Sequence, residues 1–252
     1  MEDYHRQNPL GIDPHMWVFG AEGVQVYSPD GSEMISQVTP DKACHTVSLD
    51  GGVTYTLRCD WYDVVSDGKK YVWASVAQGS TKINVFSIKT GGLIGSFDTC
   101  NSFYDMSYNP LREEMWVHCG GFSEKVQTHM DVFSTVAPSA PVTSSVVFHN
   151  NTKMRTYGRL AIDPEMGDYG LATVYGDTNL YMIALAGREV ETTIDLKGNM
   201  TAFAKLNGLY DLAYSPVNKH AFVRSQVCCT CGFEGADAIE CGRYGAGNIT
   251  VD

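Results

Sequence analysis

The chain has 252 residues, with 29 acidic residues against 18 lysines and arginines, and its formal net charge is −11. This charge argues against nucleic acid or an anionic membrane surface as a partner, because both would repel the protein. No apolar run approaches the roughly 20 residues of a membrane-spanning helix, so we expect no membrane insertion.

Short β-type segments, separated by turn residues, recur along the whole chain. The clearest set lies within residues 62–97, where four segments are rich in β-branched and aromatic side chains. These segments cover residues 62–68, 71–76, 83–87 and 93–97. Four strands joined by tight turns form one antiparallel meander, which is the unit of a β-propeller blade.

Two of these segments have copies elsewhere in the chain. Copies of the first strand with its turn occupy residues 10–14, 64–68, 106–110, 160–164 and 212–216. Copies of the third strand occupy residues 24–28, 83–87, 130–134, 180–184 and 249–252. The spacing of the copies is close to the ~40–50 residues of a propeller blade.

The repeats predict an all-β fold, with residues 1–252 forming a single β-propeller domain of four-stranded antiparallel blades. Their number corresponds to four blades and part of a fifth. A propeller closes by pairing its last blade with its first, so we expect an incomplete ring and a fragment of a longer protein. A compact four-bladed ring with a frayed tail is the alternative.

Cysteines and glycosylation sequons favour an extracellular, secreted protein whose signal peptide lies outside this fragment. The sequons are at Asn150, Asn199 and Asn248. The eight cysteines are Cys44, Cys59, Cys100, Cys119, Cys228, Cys229, Cys231 and Cys241. In the predicted propeller all of these positions fall in connections on one face, which random placement would not produce.

The cysteines suggest several bridges, although sequence alone cannot fix their connectivity. Cys44 and Cys59 bracket one loop, and Cys100 and Cys119 flank one hairpin, so each pair predicts a disulfide. The group from Cys228 to Cys241 predicts two more bridges. The two-residue gap between Cys228 and Cys231 is also that of half a zinc site, but no matching second pair follows.

A Tyr-Asp pair opens three of the predicted first strands and supplies Asp63, Asp105 and Asp211. The corresponding position of the fourth repeat holds Arg159. First strands line a propeller's channel, so these groups predict either a central cation such as Ca²⁺ or a ring of ion pairs. The alternative is structural, with each aspartate accepting backbone N–H bonds from the neighbouring blade.

No catalytic constellation is evident, so we expect no enzymatic activity and, apart from Ca²⁺, no cofactor. His45, His118 and His220 each stand alone in the sequence. Four aromatic residues share one position in the second strands and predict packing between blades. They are Trp17, Trp73, Trp116 and Phe222.

The chain resembles the carboxyl-terminal propeller of the long follistatin-like proteins. The resemblance rests on residues 15–20 and 23–27, the cysteine-bearing loop before Trp61, and residues 209–212. Those relatives are secreted glycoproteins with a follistatin module, EF-hands and immunoglobulin domains ahead of the propeller. The resemblance implies an extracellular binding role and supplies no catalytic residues.

Two functions of different classes follow. The first is a non-enzymatic extracellular interaction module that binds a protein or matrix partner. The second is a calcium-dependent, lactonase-like propeller hydrolase with Asp63, Asp105 and Asp211 around the ion. The two differ in whether these carboxylates meet in an open pocket or bond to backbone in a filled channel.

Overall fold

The computed structural model describes residues 15–20, 23–38, 46–49, 53–56, 61–76, 82–100, 103–119, 128–139, 141, 143–149, 158–174, 177–196, 209–226 and 244–250. These residues belong to two compact units, Met1–Thr99 and Cys100–Asp252. Among them, no helix is both long enough and apolar enough to cross a membrane.

The described part of the first unit contains two sheets and a separate hairpin, all antiparallel and paired in chain order. Sheet 1 consists of β1 (Met16–Gly20), β2 (Gly23–Tyr27) and β3 (Met34–Val38). The hairpin consists of β4 (Thr46–Leu49) and β5 (Val53–Thr56). Sheet 2 consists of β6 (Trp61–Ser66), β7 (Tyr71–Val76), β8 (Lys82–Ser87) and β9 (Leu93–Asp98), which confirms the four strands expected over residues 62–97.

Sheets 1 and 2 pack through a small apolar core. Val26 of β2 lies against Val72 and Phe86 of sheet 2, and all three are buried. The ring of Trp17 meets Phe86 edge-on with centroids 5.9 Å apart. Gly91 approaches Val26 so closely that a Cβ there would lie 2.8 Å from its Cγ1, which explains a glycine in this left-handed turn.

The hairpin β4–β5 was not expected, because its residues were predicted to be a loop. Its register runs from Thr46 opposite Thr56 to Leu49 opposite Val53. The β-branched residues of both strands favour the extended backbone that they adopt. Cys44 and Cys59 flank this hairpin but lie outside the described residues, so their bridge stays a prediction.

The described part of the second unit contains three further antiparallel sheets. Sheet 3 consists of β10 (Phe103–Asn109), β11 (Glu114–Cys119), β12 (Thr128–Ser134) and β13 (Thr143–His149). Sheet 4 consists of β14 (Leu160–Ile162), β15 (Tyr169–Thr173), β16 (Asn179–Ala184) and β17 (Glu189–Asp195), with a 3₁₀ turn, η1 (Pro164–Met166), after β14. Sheet 5 consists of β18 (Leu209–Ser215), β19 (His220–Gln226) and β20 (Tyr244–Thr250).

These three sheets stack face to face. Trp116 and Met130 of sheet 3 pack against Ile183 and other residues on one face of sheet 4. Leu171 and Leu180 on the opposite face pack against sheet 5. The first strands also adjoin one another, β10 with β14 and β14 with β18. Stacked antiparallel meanders with adjacent first strands are the arrangement of a propeller-type fold.

Two sequence-based expectations are wrong in sheet 5. Phe222 was predicted to be buried between blades, yet 44% of it is exposed. Its neighbours Ala221 and Val223 face sheet 4, so the strand's alternation turns Phe222 to the other face, which no described sheet covers. Asn248 was placed in a connection, but β20 begins at Tyr244 and pairs Asn248 with Phe222.

Candidate functional site

The Tyr-Asp repeat marks a β-bulge. In β10, Phe103 pairs with Cys119 and Asp105 pairs with His118, so Tyr104 is an extra residue. The same register shift occurs in β6 between Trp61 and Asp63, and in β18 between Leu209 and Asp211. A β-bulge bends its strand and changes the direction in which nearby side chains point. Each Tyr-Asp pair therefore coincides with a bend in a first strand.

Both carboxylate oxygens of Asp105 bond to the segment that opens sheet 4. Oδ1 accepts a hydrogen bond from Arg159 Nη1 at 2.9 Å, and Oδ2 accepts one from the Leu160 backbone N–H at 2.6 Å. Ser107 Oγ then accepts from the Ile162 N–H at 3.2 Å. The predicted role of the aspartates as backbone acceptors between neighbouring sheets is therefore confirmed at Asp105.

The structure does not test whether Asp63 and Asp211, the other two predicted ligands, bind calcium. Asp63 is half-buried in the first unit, and its Oδ1 accepts a hydrogen bond from the Val64 N–H at 2.9 Å. The side chain of Asp211 lies outside the described part of the structure. A Ca²⁺ ion shared by Asp63, Asp105 and Asp211 therefore stays a prediction.

His118 is fully buried, and it lies opposite Asp105 in the register of β10 and β11. A Cβ on Gly158 would lie 2.8 Å from His118 Nε2 and would overlap the Thr173 carbonyl oxygen. Burial lowers the pKa of His118 from 6.5 to about 3, and a hydrogen bond with the Thr173 backbone opposes that shift. Charge repulsion lowers the pKa of His118 further, from the Arg159 guanidinium and from His129 when that ring is protonated.

The lowered pKa of His118 predicts loss of stability in mild acid. The ring is neutral in the folded protein but takes up a proton when unfolded, so its contribution is complete above pH 6.5 and declines towards pH 3. Between pH 7 and pH 5 we expect the free energy of unfolding to fall by about 2 kcal/mol. Urea unfolding at several pH values measures this effect. The free energy of unfolding should depend less steeply on pH in His118→Gln than in the parent, whereas the pH dependence of His220→Gln should match that of the parent.

The second feature at this end of sheet 3 is a cluster around a disulfide. Cys100 and Cys119 are bridged, with Cα atoms 5.8 Å apart, which confirms the predicted pair. His129 lies directly opposite Cys119 in the neighbouring strand, and Asp131 lies opposite Val117. Because side chains alternate along a strand, Cys119, His129 and Asp131 share one face of the sheet.

The polar groups of this cluster are close together. His129 Nε2 lies 3.5 Å from Asp131 Oδ1, and the Cys100 N–H donates to Asp131 Oδ2 at 3.1 Å. The two sulfur atoms, an imidazole nitrogen and a carboxylate oxygen all lie within 4.8 Å of one another. Sequence reasoning missed both His129 and Asp131. The third strand was predicted over residues 130–134, so His129 lay outside it, whereas the strand in the structure begins at Thr128.

Further ion pairs join sheets 3 and 4 away from this cluster. Glu114 accepts a hydrogen bond from Arg188 Nη2 at 2.6 Å and one from the buried Trp116 indole at 3.1 Å. Arg112 pairs with Asp168 at 2.9 Å nearer the surface. These contacts hold sheets 3 and 4 together. The candidate functional groups, which are Asp105, His118 and the cluster around the disulfide, lie at the end of sheet 3 that carries the β-bulge.

Several predicted positions lie outside the described residues, and their bridges and glycans stay predictions. They are Cys44, Cys59, Cys228, Cys229, Cys231, Cys241, Asn150 and Asn199.

No protein-family model matches this chain, and no curated protein sequence matches it either. Hydrazine synthase of Kuenenia stuttgartiensis matches 95% of the chain with a TM-score of 0.59 at 14% identity. A chain of the mitotic checkpoint complex matches 84% with a TM-score of 0.55 at 11% identity. This chain spans 63% and 56% of those two chains, whose folds are of the propeller type. At these identities the likeness shows the fold alone.

Proposed function

We propose that the chain is an extracellular, non-enzymatic interaction module that binds a protein or matrix partner. Its scaffold would be a β-propeller of four four-stranded blades and part of a fifth in an incomplete ring. The proposal includes kinship with the carboxyl-terminal propeller of the long follistatin-like proteins. Binding modules of this kind need a rigid scaffold that presents loops rather than a catalytic group.

The observation that carries the proposal is the Cys100–Cys119 disulfide. Disulfides form and persist in oxidising environments such as the secretory pathway and the extracellular space. The three sequons of the chain agree with passage through that pathway. The bridge ties the end of β11 to the segment before β10. A fixed backbone at this end of sheet 3 would favour its use as a binding surface.

Asp105 supports a binding module over the calcium-dependent hydrolase. Both of its oxygens are engaged by Arg159 and the Leu160 N–H, whereas a calcium ligand must direct an oxygen to the ion. We expect no lactone hydrolysis and no calcium-dependent rise in melting temperature. Hydrolysis that a chelator abolishes, and that Asp105→Asn also abolishes, would favour the hydrolase instead.

Expression of the chain in cultured mammalian cells, with a signal peptide fused ahead of Met1 to direct it into the secretory pathway, tests the proposal. Alkylation and peptide mapping should find Cys100 and Cys119 fully oxidised, and glycosidase treatment should reduce the apparent mass. The secreted protein should bind at least one immobilised matrix protein, such as a collagen or a laminin, saturably and without calcium. Retention of unglycosylated, reduced protein inside the cells would contradict the extracellular assignment, and absence of saturable binding across the panel would contradict a matrix partner.

A further inference from the structure

We propose that the Cys100–Cys119 bridge is one state of a two-state site that, once reduced, binds Zn²⁺ together with His129 and Asp131. This site is separate from the residues in which the sequence suggested zinc, around Cys228. It also goes beyond the binding role proposed above, because it concerns a metal and a redox state. The chemical class of ligand is a divalent, thiophilic cation.

The donor set suits zinc. Two cysteine thiolates, one imidazole and one carboxylate are four ligands of the types that Zn²⁺ takes in tetrahedral sites. Soft thiolates disfavour Ca²⁺ and Mg²⁺, which prefer oxygen ligands, so the sulfur atoms set the selectivity. Two negative thiolates beside the cation would also strengthen its attraction in a partly buried site.

The geometry requires only small movements. Zinc–ligand bonds of about 2.0–2.3 Å in a tetrahedron place neighbouring ligand atoms roughly 3.3–3.8 Å apart. The four donor atoms already lie within 4.8 Å of one another, and His129 Nε2 is 3.5 Å from Asp131 Oδ1. Reduction lets the two sulfur atoms separate by side-chain rotation, while the strands that carry the other ligands stay paired.

The surroundings are those of a constructed site rather than an exposed acidic patch. Asp131 is 5% exposed, and the Cys100 N–H fixes its Oδ2 at 3.1 Å. His129 and Cys119 are direct cross-strand partners on β12 and β11, and Asp131 follows on β12. Three of the four ligands therefore stand on paired strands, whereas Cys100 lies in the segment that follows β9. The side chain of His129 is 24% exposed, which leaves a route for the ion from solvent.

Reduction of the Cys100–Cys119 disulfide is a balanced reaction when a phosphine is the reductant. The phosphine takes up the oxygen of one water molecule, and the two hydrogens of that water give the thiols of Cys100 and Cys119. Binding of Zn²⁺ then releases both thiol protons, while the neutral imidazole and the carboxylate bind without proton loss. Removal of the metal followed by a mild oxidant restores the disulfide.

The test uses the whole chain, reduced with a phosphine under anaerobic conditions and freed of metal with a chelator. Zinc titration against a chromophoric chelator gives affinity and stoichiometry, and cobalt(II) reports thiolate ligation by its absorption. Zinc should protect Cys100 and Cys119 from alkylation, as mapped on their peptides, which separates this site from the other six cysteines. We expect His129→Gln and Asp131→Asn each to weaken that protection by at least about tenfold, the loss that even an outer-shell change typically causes.

Controls separate metal binding from folding. His220→Gln should protect Cys100 and Cys119 as well as the parent does, because His220 lies on sheet 5. In the oxidised state, His129→Gln and Asp131→Asn should retain the bridge, which peptide mapping of the folded fraction reports directly. Unprotected Cys100 and Cys119 in zinc-loaded parent, or equal protection in parent and both variants, would overturn the proposal.

Discussion

Replacing Asp105 with alanine is expected to lower the free energy of unfolding by about 3 kcal/mol. The substitution leaves the Arg159 guanidinium, whose side chain is only 30% exposed, without its carboxylate. It also removes the acceptor of the Leu160 N–H at a buried position between β10 and β14. Breaking a partly buried, hydrogen-bonded pair on one side costs more than the pair itself contributes.

Two further variants resolve the components of this effect. Asp105→Asn keeps a side-chain oxygen for the Leu160 N–H but removes the charge, so it should lose less stability than Asp105→Ala. Arg159→Leu removes the charged partner of the carboxylate and keeps the bond from the Leu160 N–H, so it should also be destabilising. The double variant Asp105→Ala/Arg159→Leu should lose less than the sum of the two single losses, because the pair is coupled.

The surface pair of Lys82 and Asp98 provides the matched control. It has a similar separation of 2.8 Å, but its side chains are 47% and 78% exposed. Exposed ion pairs contribute about 0–1 kcal/mol, so Asp98→Ala should change stability little. Equal losses for Asp105→Ala and Asp98→Ala in urea unfolding would show that the bulge carboxylate does not hold sheets 3 and 4 together.

The sequence predicted strands well because their signal is local. The segment 71–76 corresponds to β7 without any change of boundary, since β-branched and aromatic residues between turns define it. The hairpin β4–β5 was missed because the sequence showed no further copy of it. Phe222 was wrongly predicted to be buried, because it shares its repeat position with Trp73 and Trp116. That prediction assumes that a sheet packs on each face of the strand, which sequence periodicity does not establish.

The site depends on contacts between distant residues, and sequence could predict only part of it. The Tyr-Asp repeat identified Asp105 but not the bulge, because a bulge is defined by the register of a partner strand. The Cys100–Cys119 disulfide could be predicted because the two cysteines flank one hairpin in the sequence. His129 and Asp131 join that pair only because β11 and β12 set Cys119 opposite His129, which is a property of pairing and not of spacing.

Replacing Gly158 with alanine is expected to be at least as damaging as the loss of Asp105, at about 3 kcal/mol or more. The new Cβ would overlap the Thr173 carbonyl oxygen and lie 2.8 Å from His118 Nε2. Neither neighbour can yield cheaply, because one is backbone beside the Thr173 N–H bond to the Arg159 carbonyl and the other is a fully buried ring. Displacing this segment also moves Arg159 away from Asp105, so one methyl group disturbs the whole junction.

Gly187→Ala is the matched control for this prediction. Gly187 is exposed in the turn between β16 and β17, and its added Cβ would meet only the flexible end of Glu189, at 3.0 Å. Its φ lies outside the left-handed region, so alanine adds no backbone strain there and should change stability by less than about 0.5 kcal/mol. Thermal and urea unfolding of both variants measure the difference. If Gly158→Ala unfolds at the same urea concentration as Gly187→Ala, the close approach of Gly158 to Thr173 and His118 does not constrain the junction of sheets 3 and 4.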